Sequence, residues 1–369
     1  MKYDYLIVGA GFAGAVMAER ITSQLNKKVL VVEKRNHIAG NAYDEYDENG
    51  ILIHLYGPHL FHTNSEKVFQ YLSQFTEWNF YEHRVLAKLG NEYYPIPINR
   101  TTINKLYKMN LLTDDEVKKF LDSRKESRHA IKNSEDVIVN QVGYDLFENF
   151  FKHFTKKQWN LEPKELSPSV CGRIPVRFNT DDRYFTDKYQ FMPKHGYTKM
   201  FKNMLNHKNI EVRLSTDFFD VMTEERFNYL IYTGPIDRFF NFMYGKLPYR
   251  TIRFEWESMN MERFQEVGVV NHVSPKEQFT RVTEYKHLTG QKSATTTISY
   301  EYSQLHGEPY YPIPTEDSKL LFNKYHDETK KLTNVIFAGR LATFQYYNMD
   351  QVVANSLSLF KAISGQETW

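Results

Sequence analysis

Tyr5-Leu6-Ile7-Val8-Gly9-Ala10-Gly11-Phe12-Ala13-Gly14, continued by Ala15 to Leu25 and then by Val29 to Glu33, is the stretch on which the fold turns. Its four leading apolar residues read as a buried strand and Gly9 to Gly14 as a tight turn. Ala15 to Leu25 reads as a helix with Val16, Ile21 and Leu25 inward, and Val29 to Val32 as a second strand. A GxGxxG pattern is weak alone, but between a strand and a helix it marks a dinucleotide-binding unit. Gly9 permits the turn, Gly11 lets a pyrophosphate approach the backbone, and Gly14 lets the helix lie close on the strand. Unpaired N–H groups and the helix dipole attract phosphate charge, and Phe12 and Ala13 of the turn are counted with the glycines in the cofactor-binding set. Glu33 closes the second strand, where a carboxylate can accept hydrogen bonds from both hydroxyls of an adenosine ribose and would repel a 2′-phosphate. The bland alternative is a plain glycine turn with Glu33 a solvated strand end.

These residues leave FAD and NAD both open. The segment Lys34-Arg35-Asn36-His37-Ile38-Ala39-Gly40-Asn41-Ala42 runs on into a second glycine turn suited to a longer cofactor, which favours FAD.

The rest of the chain bounds the answer. With 369 residues, two or three substructures sharing one main core are expected. A formal net charge of +2 with mixed signs gives no basis for a nucleic-acid or polybasic membrane surface. Cys171 is the single cysteine, so no intramolecular disulfide forms, and no Cys/His spacing suggests a metal; a reducing compartment, the cytoplasm, fits. No signal-peptide core precedes the first strand and no apolar run approaches ~20 residues, so neither export nor membrane insertion is expected. Aromatic residues make up 15% of the chain, and Tyr93-Tyr94, Tyr310-Tyr311 and Tyr346-Tyr347 sit in polar surroundings suited to stacking on flat rings.

Strand-like runs return only late, at Ile210-Val212-Leu214, Tyr229 to Tyr232 and Val335 to Ala338, which implies one sheet interrupted by insertions. The first insertion reads as helical: Thr113 and Glu116 form a capping box, with Val117, Phe120 and Leu121 at helical spacing. Leu146, Phe147, Phe150, Phe151 and Phe154 continue the pattern in a further helix. The second insertion, from Arg250 to Ser303 with a contribution from Arg173 to Met192, alternates as in Thr295-Thr296-Thr297-Ile298-Ser299-Tyr300 and reads as a mostly antiparallel sheet. Arg124 to Asn133 is a polar stretch expected to be a mobile connection. The fold expected is therefore α/β: a discontinuous Rossmann-type FAD-binding domain (1–75, 195–245 and 315–369), an inserted helical domain (100–165), and an antiparallel β-sheet domain for substrate (76–99, 166–194 and 246–314). A last helix begins around Asn348 to Asp350, with Val352, Val353, Leu357 and Phe360 inward.

Several blocks go further than the fingerprint. Asn36 to Ala42, Tyr56-Gly57-Pro58-His59-Leu60-Phe61-His62-Thr63, Arg173-Ile174-Pro175-Val176-Arg177-Phe178, Tyr232-Thr233-Gly234-Pro235-Ile236-Asp237, Glu308-Pro309-Tyr310-Tyr311-Pro312 and Gly339-Arg340-Leu341 together resemble the bacterial UDP-galactopyranose mutases over nearly the whole chain. The resemblance implies interconversion of UDP-galactopyranose and UDP-galactofuranose on reduced FAD with no net redox change: flavin N5 attacks the anomeric carbon, UDP leaves, and the sugar recloses as a furanose. It also implies a homodimer, an external reductant such as NAD(P)H, and supply of galactofuranose to a cell-surface polysaccharide.

Carried over residue by residue, the resemblance places Arg173 and Arg281 on the diphosphate, with Leu166 to Gly172 a mobile lid before Arg173. Phe154 and Trp159 would flank uridine, although periodicity alone puts Phe154 on a core stripe. The hydroxyls of Tyr184, Tyr311 and Tyr346 would reach the diphosphate, and Asn271 and His83 would contact sugar or nucleotide. His59 and Leu60 would fold over the flavin, with the His59 backbone accepting from reduced N5–H. Lys34, Gly40, Asn41, Arg340, Asn348, Met349, Asp350 and Gln351 would complete the cofactor-binding set, the last helix stabilising negative charge on reduced flavin. Four positions depart from the family pattern: Ala39 for glycine, Phe154 for tyrosine, Asn348 for aspartate and His83 for asparagine. An amine-oxidase-type oxidoreductase, which would consume an electron acceptor, and a non-catalytic nucleotide-sugar sensor are the competing classes.

Overall fold

The computed structural model describes residues 2–126 and 130–365. Its first element pair is built as the fingerprint demands. The strand Tyr5–Val8 lies between Val29–Val32 and Tyr229–Tyr232, all parallel, with Tyr5 in register with both Val29 and Tyr229. Ile210–Arg213 and Val335–Phe337 close the edges of this five-stranded sheet. Ile7, Val29, Val31 and Ile231 face one side, where Val16, Met17, Ile21, Val353 and Phe360 cover them. Leu6, Leu30, Val32 and Leu230 face the other, under Phe218 and Val221. Both faces are dry, which is why these strands read as unbroken apolar runs rather than alternating ones.

The helix after the turn spans Phe12–Leu25, so it starts at the glycine loop itself and not at Ala15, with Gly11 as its extended N-cap. The last helix spans Met349–Ser364 with Asn348 as N-cap, and the two helices pack on each other over the sheet. No helix among the described residues is long and apolar enough to cross a membrane.

A seven-stranded sheet forms the second layer, in the order Tyr311–Pro312, Tyr249–Met259, Thr296–Gln304, Arg281–Glu284, Val269–His272, Val85–Leu89, Glu92–Ile96. Its pairs are antiparallel except Val269–His272 with Val85–Leu89, which run parallel. The stretch from Arg173 to Met192 joins this sheet only through a bridge from Arg183 to Arg84. Its strand, Tyr189–Pro193, instead pairs with Phe61–Thr63 and Trp78–Phe80 in a separate three-stranded sheet, where Phe61, Phe69, Trp78, Tyr189 and Phe191 stack on one another.

The helical insertion packs on the Val85–Ile96 half of the large sheet through Ile103, Val117, Leu121, Ile138, Phe147 and Phe150. The Thr113–Glu116 capping box is present at the start of Asp114–Asp122. The segment from Leu146 onward is not one regular helix. Phe147–Lys152 is π-helical and only His153–Trp159 is α-helical, so each wide turn carries an extra residue and the phenylalanine stripe swings round before Phe154. In the polar stretch from Arg124 to Asn133, Arg124 is fixed by Asp145 and stacked on Tyr107 and Phe120, while residues 127–129 lie outside the described residues.

Candidate functional site

Two adjoining cavities meet between the layers. The first opens at the carboxyl ends of Tyr5–Val8, Val29–Val32 and Tyr229–Tyr232, the place where a doubly wound sheet reverses its strand order. Gly9, Gly11, Phe12, Ala13, Glu33, Lys34, Gly40, Asn41, His59, Arg340 and Met349 line it. Gly14 lies behind this wall: a Cβ there would stand 1.9 Å from the Gly9 carbonyl oxygen, so helix and strand approach at glycine distance. Glu33 is buried, not a solvated strand end, and its two oxygens accept from the N–H groups of Ala10 and Arg35, both at 2.9 Å. That fixes the carboxylate at the cavity wall with lone pairs to spare for hydroxyl donors.

The cavity does not stop at the pyrophosphate turn. It continues past Ala39 to Ala42 as far as His59, Arg340 and Met349, so its wall extends beyond the pyrophosphate turn toward the second cavity. Ala39 stands in the left-handed region at φ 73° and is held there by its N–H donating to Ala10 O at 2.9 Å, which ties the second glycine turn to the first. Lys34 and Arg35 pair with Glu308 at 2.7 and 2.6 Å, bridging one rim of this cavity to the other.

The second cavity shares Asn41, His59, Tyr310, Arg340 and Met349 with the first, so the two open into each other. His83, Phe154, Trp159, Arg173, Tyr184, Asn271, Arg281, Tyr311 and Tyr346 all line it, although they come from the helical insertion, the stretch from Arg173 to Tyr184, the Tyr311 edge and the inner strands of the large sheet, and the loop before the last helix. Leu60 and Asn348 belong to this cavity too. Asp350 and Gln351 line neither. Asp350 accepts from Thr63 Oγ1 at 2.9 Å, and Gln351 Oε1 accepts from the Asn348 N–H at 2.9 Å to close a capping box, so both hold the helix start in place.

The cationic groups are arranged unequally. Asn271 and Arg281 are register partners on adjacent strands, and Asn271 Oδ1 and Arg281 Nε are buried without a hydrogen-bond partner. Glu301 lies 3.5 Å from Arg281 Nε, within ion-pair distance but without hydrogen-bond geometry. Burial disfavours the Arg281 charge, but Glu301 and the ring of tyrosines outweigh it and raise its pKa. Arg173 is exposed, at the mouth of the cavity: it stacks on Tyr346 at 4.2 Å and donates to Asn348 Oδ1 at 2.7 Å. The segment before it is no loose loop. Pro168–Cys171 is a helical turn, Leu166 and Cys171 are buried, and Ser134 Oγ donates to Ser167 O and accepts from the Cys171 N–H. Because Asn348 offers an amide oxygen where a carboxylate would neutralise the guanidinium, Arg173 keeps its charge free for an anion.

Trp159 meets Tyr346 and Tyr311 at 5.8 and 6.3 Å, and Tyr311 meets Tyr346 edge-on at 5.2 Å. Trp159 also packs on Leu166 and Ile313, so it is at once core and cavity wall; Phe154 is likewise both, packed against the helical core and 5.8 Å from the Arg281 guanidinium. Of the tyrosine pairs, Tyr93 and Tyr94 lie elsewhere, Tyr94 edge-on to Phe150. Burial raises the Tyr184 and Tyr311 phenols, so both are neutral donors at physiological pH. Burial holds His59 and His83 down at about 3, so both imidazoles are neutral. His59 Nδ1 sits 2.9 Å from Gly57 O and its N–H donates to His54, while His83 Nδ1 is 3.0 Å from the Tyr81 hydroxyl.

Sequence reasoning did not find Glu301, Arg177, or the His62–Asp187 pair at 2.9 Å, all of which line the second cavity. For Glu301 there was a signal: in the run Thr297-Ser299-Glu301 it is an acidic residue on the alternation that points inward, and it is 5% exposed. Among the described residues no group of three or more His, Cys, Asp or Glu is placed to hold a metal.

Comparison with known proteins gives a consistent picture. The sequence profile of the UDP-galactopyranose mutase family matches residues 149–346, and that of the NAD(P)-binding Rossmann-like domain matches residues 7–75. The chain is 38% identical to a probable UDP-galactopyranose mutase of Klebsiella pneumoniae, covering 96% of this chain and 93% of that protein. It is 37% identical to a dTDP-fucopyranose mutase of Escherichia coli, covering 95% and 96%. In fold it is similar to a crystal structure of reduced UDP-galactopyranose mutase, with a TM-score of 0.80 at 16% identity over 99% of this chain and 94% of the other. A putrescine oxidase variant is more distant, with a TM-score of 0.58 at 12% identity over 99% of each chain.

Proposed function

The chain belongs to the UDP-galactopyranose mutase family, an isomerase family, and from that membership we propose that it interconverts UDP-galactopyranose and UDP-galactofuranose with FAD as cofactor in its reduced form. The observation that carries the reading is the junction of the two cavities. Arg173, Arg281 and Arg340 line the second cavity around Tyr346, Phe154 and Tyr311, and Arg340 also belongs to the wall shared with the first, so a diphosphate held among them can present its sugar to the cofactor side. Reduced FAD, when bound in the first cavity, supplies N5 as the nucleophile for the anomeric carbon.

The chain's own residues then have a charge-placement task. Arg281 and Arg173 hold the diphosphate before, during and after its departure from the sugar, and they are arranged in advance, so no solvent has to reorganise at that moment. The neutral hydroxyls of Tyr311 and Tyr184 donate to phosphate oxygens. Phe154 and Trp159 flank the base, and Phe154 keeps a stacking face without the hydroxyl of a tyrosine. Glu301, 3.5 Å from Arg281 Nε, favours the charged guanidinium in its buried surroundings. Neutral His59 and His83 leave the positive charge of the cavity to the arginines. The resemblance extends the proposal to an external reductant such as NAD(P)H, a homodimer and supply of galactofuranose to a cell-surface polysaccharide, and the single cysteine adds a reducing, cytoplasmic location.

A second reading, dTDP-fucopyranose mutase, is favoured by the Escherichia coli relative, which matches as closely and as completely as the Klebsiella one. The sugars differ by one hydroxyl, and a wall built to hydrogen-bond a hydroxyl rejects the deoxy sugar strongly, by roughly 10⁴-fold at best. Dithionite-reduced protein incubated separately with UDP-galactofuranose and dTDP-fucofuranose, with products separated by chromatography, decides between them. The expected outcome is faster conversion of the UDP sugar; preference for the dTDP sugar moves the assignment to the second reading, and turnover of neither overturns both.

A further inference from the structure

We propose that Lys157 is a positioning residue for the nucleotide cavity: its ammonium locks the helix that carries Phe154 and Trp159 onto the hairpin that carries Asn271 and Arg281. The inference rests on the functional reading above. Lys157 lines neither cavity, yet Nζ donates to four backbone carbonyls, those of His272, Ser274, Glu277 and Phe279, at 2.6, 2.9, 3.1 and 3.0 Å. The first ends the strand Val269–His272 and the other three belong to its connection to Arg281–Glu284. An ammonium has three N–H groups, so at least one is shared, and the loop is wrapped round the cation as round a bound ion.

The neighbouring residue is fixed from the other side. Gln158 O, an otherwise orphaned carbonyl near the end of the helix, accepts from Arg250 Nε at 2.6 Å and from Ser303 Oγ at 2.8 Å, and Arg250 is 1% exposed. Asn160, at φ 52°, then ends the helix. Lys157-Gln158-Trp159 is thus tied to three strands of the large sheet by a half-buried ammonium, the buried Arg250 guanidinium and the Ser303 hydroxyl. A seven-residue helix behind a π-helical segment has little intrinsic stability with which to hold two aromatic side chains in place. Removing the ammonium would leave these carbonyls without their donor, so the tie orders the loop as well as joining it to the helix.

The groups facing Nζ make the lock sensitive to its proton. Burial pulls the Lys157 ammonium down to about 8 and Glu277 alone pulls it back, since His272 is held neutral at about 4 by burial and beside Lys88. The amine has two N–H groups for four carbonyls, so nucleotide affinity falls as pH rises through that value.

Lys157→Met and Lys157→Arg, each purified with cofactor, are compared with the native protein for UDP and dTDP dissociation constants, KM, kcat and flavin absorbance. Lys157→Met is expected to weaken UDP binding and raise KM by about tenfold or more, as displaced binding groups do, with kcat lowered much less and the flavin spectrum unchanged. A folded, flavin-loaded Lys157→Met that binds UDP as tightly as the native protein overturns the proposal. Should that variant fail to fold, Lys157→Arg, which stays protonated, carries the test. Its UDP affinity should hold from about pH 7 to about pH 9.5 while that of the native protein falls; coincident profiles overturn the proposal. A native protein that binds neither nucleotide fails the functional reading itself, which the native control reports separately.

Discussion

Replacing Arg281 by alanine is expected to lower kcat/KM of the reduced enzyme by about 10² to 10³, or roughly 3 to 4 kcal/mol of transition-state stabilisation, the size expected when one prearranged charge-stabilising donor is removed. The magnitude follows from its surroundings. Arg281 is half-buried, its Nε has no hydrogen-bond partner, and Glu301 stands 3.5 Å away and is itself buried. The substitution removes the cation and leaves a buried carboxylate facing the diphosphate, so attraction is exchanged for repulsion. Lysine at the same position keeps the charge but loses the planar fork, and is expected to retain more activity than alanine. Steady-state kinetics and UDP titration measure both, and near-native values for the alanine variant would take Arg281 out of the site. The exposed Arg173 should show a smaller loss, since water already screens it.

Gly14→Ala should be strongly destabilising for a single added methyl group. The added Cβ would stand 1.9 Å from Gly9 O and 3.2 Å from Ile7 Cγ2, and the first contact is with backbone, which cannot swing aside. Relief requires the Phe12–Leu25 helix to lift off the strand, and that helix is packed both on the sheet and against Met349–Ser364. Overpacking of this severity costs about 3 kcal/mol or more. It also tilts the N–H groups that face the pyrophosphate, so cofactor content falls with stability. Urea unfolding together with the flavin-to-protein absorbance ratio tests this; an unchanged midpoint with full cofactor content would show that the strand–helix contact is looser than described.

What the sequence makes legible follows from where the determining forces are local. Residues 5 to 33 could be read because turn, helix and strand are each set by neighbours a few positions away, and the glycine spacing is dictated by the ligand. The Thr113–Glu116 cap is local in the same sense. The strand Tyr189–Pro193 is not: its partners, Phe61–Thr63 and Trp78–Phe80, are more than a hundred residues distant, and its alternation fits the large sheet as well as the small one. The π-helical stretch Phe147–Lys152 is invisible for a different reason, because an apolar stripe looks the same whether or not one residue per turn is extra. At the site, the resemblance found the arginines and aromatics that meet the cavity. Glu301 was hidden by being one carboxylate among many, and Lys157 by reading as a solvated lysine in a polar run. Asp350 and Gln351 failed as wall residues because the first turn of a helix spends its side chains on capping and on neighbouring strands.

The account depends on a nucleotide sugar meeting a reduced flavin where the two cavities join. The most direct measurement takes one preparation, divides it, reduces one half anaerobically with dithionite, and follows UDP-galactofuranose in both by chromatography. The reduced half should form UDP-galactopyranose over many turnovers without being reoxidised, and the oxidised half should form none. Equal rates in the two halves, or one equivalent of flavin oxidised per product, would contradict it.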